Sequence, residues 1–206
     1  CYNALQAPYQ DLWKFSDLRG DDTGHYFDGI LDLVRLDDFV MDVNDPLLNE
    51  TWQGYYNAIY RINNLLANIE EADPTVVTNK ELYIGEAKFL RALAYFDMVR
   101  IWGDVPMLTT PISIEESYEI SRDNVDAIYE QVIIQDLLDA ETRLPQSYSD
   151  AEMGRATQGA AKALLGKVYL TRNNFTDAET KLQEVTTLGY ALLDDFNDLF
   201  NYENEH

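Results

Sequence analysis

The chain has 206 residues, 46% of them hydrophobic and 12% aromatic, enough apolar surface for one globular core or two small ones. Its 37 acidic against 15 basic side chains give a formal net charge of -22, which sets aside nucleic acid and any basic-patch contact with anionic lipid. No apolar run reaches membrane-spanning length, no basic-plus-apolar signal peptide is present, and a single cysteine, Cys1, leaves no disulfide to form within the chain. The charge is compatible with neutral sugars, cations or a basic protein partner, and most of it serves solubility.

Tyr2, Leu5 and Tyr9 begin a helical period, so residues 2 to 16 read as a first helix, with Pro8 the place for a kink. Ser16 to His25 is turn chemistry, with Gly20 and Gly24 among aspartates. From Asp17 to Asp45 the pattern is a long irregular segment carrying Asp17, Asp21, Asp22, Asp28, Asp32, Asp37, Asp38, Asp42 and Asp45, with Tyr26, Phe27 and Phe39 interleaved. Such carboxylates can hold calcium, but no EF-hand spacing is present, and solvation or helix capping accounts for most of them.

Asn44-Asp45-Pro46 opens a second helix, from Leu47 to about Glu71, on which Trp52, Tyr55, Tyr56, Ile59, Ile62, Asn63, Leu66 and Ile69 keep the period. Asn63 and Asn64 have two readings: a buried hydrogen-bonding contact to a loop, or one exposed and one capped amide, the second slightly favoured. Asp73-Pro74 breaks the chain, and Asn79 precedes a central helix that pairs antiparallel with the second. On it, Ala87, Leu90, Ala94 and Met98 form one apolar stripe and Phe89, Ala92, Phe96 and Val99 another, which predicts burial on most of the circumference. Gly103 and Pro106 stop it.

A loop from Met107 to Ser121 follows, holding Pro111 and Glu115, Glu116 and Glu119; Ser121 to Asn124 supply a cap, and a helix runs from Val125 to about Arg143, ended by Leu144-Pro145. Gly154 to Thr157 begin the last helical pair, in which Leu165, Gly166, Tyr169 and Ala178 match the core of a tetratricopeptide (TPR) unit, with Lys162, Leu182 and Tyr190 in the remaining slots. Residues 155 to 190 are thus the clearest hairpin: Gly166 and Ala178 are small where the helices cross, Asn173-Asn174 turn, and Phe175 is expected to plug the turn end. Gly189-Tyr190 ends the pair, and Asp194 to Phe200 form an acidic, aromatic tail.

The run from Gly85 to Leu108, GEAKFLRALAYFDMVRIWGDVPML, resembles the signature of the SusD/RagB family. Trp52, Tyr56, Ile59 and Asn63-Asn64 match that family's second helix. Arg122, Val125, Tyr129, Ile133, Asp136, Leu137, Ala140, Leu144 and Pro145 match a later segment, and Gly154 to Leu170 a third. The resemblance implies an all-α fold of TPR-like stacked helical hairpins with long irregular loops, residues 1 to 206 being the N-terminal helical domain of a longer chain, because family members continue past the position of His206. It also implies a non-catalytic, surface-exposed lipoprotein of the Bacteroidetes outer membrane, which captures oligosaccharide and passes it to a SusC-like TonB-dependent transporter, with contact to the membrane only through a lipid anchor. Cys1 is then either the lipid-bearing residue or an ordinary residue of a trimmed chain.

Chemistry beyond this is sparse. There is no Walker loop, no G-x-G-x-x-G and no H-E-x-x-H; His25 and His206 have no paired ligand spacing, and Cys1 has no histidine beside it. The Asp21-Asp22 pair suits glycoside hydrolysis, but such pairs arise by chance among 37 acidic residues. Sugars need aromatic platforms and planar polar groups, and Tyr26, Phe27 and Tyr118 fall outside the helical periods. The candidate ligand-binding residues are therefore Arg19, Asp21, Asp22, Tyr26, Phe27 and Asp28, against the alternative that Tyr26 and Phe27 merely pin their loop. The expected function is oligosaccharide (starch-like) binding with no cofactor, calcium left open. A TPR-type protein- or peptide-binding adaptor is the alternative and a glycoside hydrolase a more distant one.

Overall fold

The computed structural model describes residues 1–20, 23–24, 31–69 and 71–201, and among these no β-strand occurs beyond a single bridge between Val105 and Asp123. The architecture is all-α and TPR-like. The chain divides into two compact units, Cys1–Glu71 with Ala94–Tyr129, and Ala72–Leu93 with Glu130–His206.

In the first unit, α1 (Tyr2–Ser16) runs through Pro8 and packs on α3 (Pro46–Ile69). The approach is close at Gly54, where a Cβ would stand 3.2 Å from the Pro8 ring. Pro46 sits at the first position of α3, where its missing N–H costs no intrahelical bond, and Asp45 Oδ1 accepts from the Leu47 N–H at 3.1 Å. The segment read as irregular contains a helix, α2 (Leu31–Asp37). At two turns it is too short for a period to announce it, and burial of Leu36 with Phe15, Leu18 and Leu47 holds it. Asn63 is buried, and its amide donates to Leu108 O at 2.9 Å, so the loop-contact reading holds for it; Asn64 is the capped amide, donating to Tyr60 O at 2.7 Å.

The central helix α4 (Lys80–Trp102) supplies residues 80–93 to the second unit and 94–102 to the first. Its two apolar stripes are buried as their spacing demands, Ala92, Ala94 and Met98 completely, with Phe89 alone left half-buried. What the stripes conceal is charge. Glu86, Arg91 and Asp97 are buried as well. Arg91 grips Asp136 with two bonds of 2.7 and 2.9 Å, and Arg155 grips Glu86 with two of 2.6 and 2.7 Å. Within the first unit, Asp97 accepts from the Tyr55 hydroxyl at 3.2 Å and from Arg100. Buried charge is tolerated only with such paired, bidentate geometry.

The helix predicted over Val125 to Arg143 is continuous but changes gauge: α6 (Val125–Ile128), in the first unit, passes into a π-helical turn (Tyr129–Ile133) and then α7 (Ile134–Arg143), in the second. α7, α8 (Gln158–Thr171) and α9 (Phe175–Thr186) pack in succession. Thr157 caps α8 by accepting from the Ala160 N–H, and Asn173 turns the chain with φ +59°. Where α8 and α9 cross, a Cβ on Gly166 would lie 2.7 Å from the Leu182 side chain, so a larger residue here would have to displace it. Phe175, expected to plug the turn, is instead 62% exposed: it is the first residue of α9, just after the Asn174 cap, and points to solvent.

Candidate functional site

The first unit holds an aromatic cluster gathered on the last residue of α4. Trp102 meets Trp52 edge-on at 5.3 Å and 89°, Tyr55 at 6.1 Å, and Phe15 at 6.2 Å. Trp52, Tyr55 and Tyr56 come to one side of α3 because residues three and four apart share a helix face. Two cavities share Trp102 and Leu48 as walls. The larger, about 310 Å³, has Phe15 and Leu36 buried within, Met41 and Ile101 half-buried, and the exposed Arg19 and Phe39 at its edge. The smaller, about 220 Å³, adds Val43, Asn49, Trp52 and Arg122. An apolar cleft with a few polar groups is the general form of a small-molecule site.

Phe39 is held there under strain. It follows α2 as the left-handed residue of a Schellman motif: its N–H donates to Leu36 O at 3.3 Å, and the Val40 N–H to Arg35 O at 2.9 Å. The required φ is +57°, a region in which glycine is at ease and a phenylalanine is an outlier. The ring is 64% exposed, so core packing does not compensate, and the Arg19 guanidinium stacks 4.9 Å above it.

The far side is set by the loop after α4. Gly103, at φ +71°, turns the chain out of the helix. The Asp123 N–H donates to Val105 O at 3.0 Å, the Met107 N–H to Asp123 Oδ2 at 2.7 Å, and the Val125 N–H to Asp104 Oδ1 at 2.9 Å. Three side chains tie down the loop's descending strand of backbone. Tyr56 donates to Pro106 O at 2.9 Å, Asn63 to Leu108 O, and the Tyr95 hydroxyl accepts from Leu108 N–H at 2.6 Å. Burial, then the neighbouring Tyr95, pushes the Tyr56 phenol well above its ordinary range, so it stays a donor at any physiological pH. This frame brings Arg122 over the Trp52 ring at 5.4 Å, with one N–H donating to Asp104 O at 2.9 Å.

Of the residues proposed from sequence, Arg19 lines the larger cavity. Asp21, Asp22, Tyr26, Phe27 and Asp28 lie outside the described residues, as do His25 and His206. Tyr118 is 81% exposed at the end of a short helix, α5 (Ile114–Ser117), and lines neither cavity. Cys1 stands at the N-cap position of α1 without a side-chain cap bond. Among the described residues no group of three or more His, Cys, Asp or Glu is placed to hold a metal ion, and no helix is long and apolar enough to cross a membrane. Sequence reading missed Phe39, Trp52, Trp102 and Arg122 as site residues. Both tryptophans sit on helical periods and read as core; the available signal was Trp102 standing immediately before the helix-ending Gly103.

A family model described as "Starch-binding associating with outer membrane", SusD-like, matches residues 22–170. SusD-like protein P25 of Formosa agariphila is 30% identical over 167 residues, 81% of this chain and 32% of that protein. A structure of a laminarin-binding SusD-like protein is similar over 99% of this chain and 49% of its own, with 30% identity and a TM-score of 0.79. Another, solved with a xylogluco-oligosaccharide, is similar over 98% of this chain and 42% of its own, with 25% identity and a TM-score of 0.75. The chain spans about a third of the length of the curated relatives it matches.

Proposed function

This chain belongs to the SusD-like (SusD/RagB) family, and from that premise we propose that its aromatic cleft forms part of a non-catalytic glycan-binding site. The observation that carries the reading is the strained, exposed Phe39 facing a cavity walled by Trp102: backbone strain persists where an aromatic face is used. Aromatic rings take the apolar faces of pyranose units, while Asn49, Arg19 and Arg122 supply hydrogen bonds for hydroxyls. A laminarin-binding relative and another solved with a xylogluco-oligosaccharide support the ligand class. The mechanism is binding and hand-over with no bond broken. The protein sits at the outer-membrane surface and serves a SusC-like transporter.

The test is affinity electrophoresis of the full chain against a panel of polysaccharides, with reducing-sugar release measured in parallel. Retardation by at least one glycan without sugar release, lost in Trp102→Ala, supports the reading. Release of sugar, or no retardation by any glycan, overturns it.

A further inference from the structure

The cations of this chain are largely engaged by carboxylates. Arg91 holds Asp136, Arg155 holds Glu86, Lys88 and Arg143 share Asp139, and Lys162 and Lys181 share Glu141 and Glu184. Arg19 and Arg122, which line the cleft, are among those that depart from this pattern; Arg61, elsewhere on α3, bonds the Asn57 amide oxygen instead. Arg19 stacks on Phe39 and Arg122 on Trp52, and among the described residues neither has a carboxylate within ion-pair distance. The carboxylates beside Arg122 in the loop are turned elsewhere: Asp104 to the Val125 N–H and Asp123 to the Met107 N–H.

We propose that the glycan bound here carries anionic groups, uronate or sulfate, received by the Arg19 and Arg122 guanidinium groups; this rests on the glycan-binding reading of the cleft. A guanidinium stacked on a ring has its N–H fork oriented in plane, and five donors leave several for a ligand even after Arg122 gives one to Asp104 O. That fork matches the two oxygens of a carboxylate or sulfate better than it matches a single hydroxyl. The chain's net charge of -22 opposes an anionic ligand at long range. At physiological salt, however, the screening length is about 8 Å, so distant carboxylates are muted while a contact pair in a half-enclosed cleft is not.

The experiment measures affinities of the full chain for polygalacturonate, a sulfated galactan, the same galactan desulfated, laminarin and xyloglucan, at low and high salt. The expected result is binding to the polyuronate or the sulfated galactan that weakens with salt. Arg19→Gln and Arg122→Gln should each weaken it about tenfold, the size of one lost charge-assisted bond, and flatten the salt dependence. Arg122→Lys should restore part of both, and circular dichroism melts verify that each variant folds. Preference for polygalacturonate assigns a carboxylate; loss on desulfation assigns a sulfate. Binding confined to laminarin or xyloglucan, insensitive to salt and to both arginines, overturns the anionic ligand and leaves the glycan-binding reading standing. Binding to no glycan overturns both.

Discussion

Tyr95→Phe removes one oxygen from a ring that is completely buried. The hydroxyl accepts from the Leu108 N–H at 2.6 Å and donates to Leu108 O at 3.0 Å. The backbone acceptors of the loop keep other donors in the variant: Pro106 O retains Tyr56 at 2.9 Å, and Leu108 O retains Asn63 at 2.9 Å. The group left without its partner is the Leu108 N–H, in a half-buried setting. Orphaning such a donor costs about 1–3 kcal/mol, and the unchanged ring volume adds no cavity beyond the lost oxygen. Taking about 2 kcal/mol, a chain of this size should melt about 4–8 °C lower. Circular dichroism melts read the shift, and urea titration should show a lower midpoint at unchanged slope. Because Asn63→Ala removes a bond to the C=O of the same residue, Leu108, the double variant should depart from additivity by at least about 0.5 kcal/mol. A melting shift within about 1 °C, or strict additivity, would refute the claim that these side chains jointly hold the loop.

Three other outcomes follow from the same geometry. Arg91→Ala, which strands a buried Asp136, should cost about 3–5 kcal/mol, whereas replacing the pair together by Met and Leu should be close to neutral, as chemical denaturation will show. Phe39→Gly should relieve the left-handed strain and raise stability by about 1 kcal/mol while weakening glycan retention; a fall in melting temperature would mean the Phe39 backbone is not strained. Burial alone would raise the Asp139 carboxyl, but the hydrogen bonds from Lys88 and Arg143 prevail and hold it below its ordinary range. Its contribution to stability is therefore present above about pH 4, the unfolded value, and is lost as pH falls through the lower folded value. Asp139→Asn should flatten that acid limb of the stability curve, and parallel curves would count against the assignment.

Helix positions were written locally. Pro46 opening α3, Thr157 capping α8, Gly103 ending α4 and Asn173 turning the last hairpin each act within three or four residues of themselves, and the double stripe on α4 announced its burial. The TPR-like crossing was legible for the same reason: Gly166 and Ala178 are small in sequence before they are close in space. Tertiary structure alone decided which polar groups enter the core. Arg91 finds Asp136 45 residues on and Arg155 finds Glu86 69 residues back, and no periodicity encodes such a partner. It also decided that Asn63 holds a loop, that Phe175 stays in solvent, and that a two-turn helix forms inside an acidic segment, stable only because Leu36 is buried. The cleft belongs to this second class. Arg19, Phe39, Trp52, Trp102 and Arg122 carry no shared spacing; Arg19 alone was a candidate from sequence, and the other four look like core or loop by their own neighbourhoods. Their common surface exists because α1, α3 and the end of α4 converge in one core, and convergence is a property of packing free energy summed over the whole unit rather than of any local stretch.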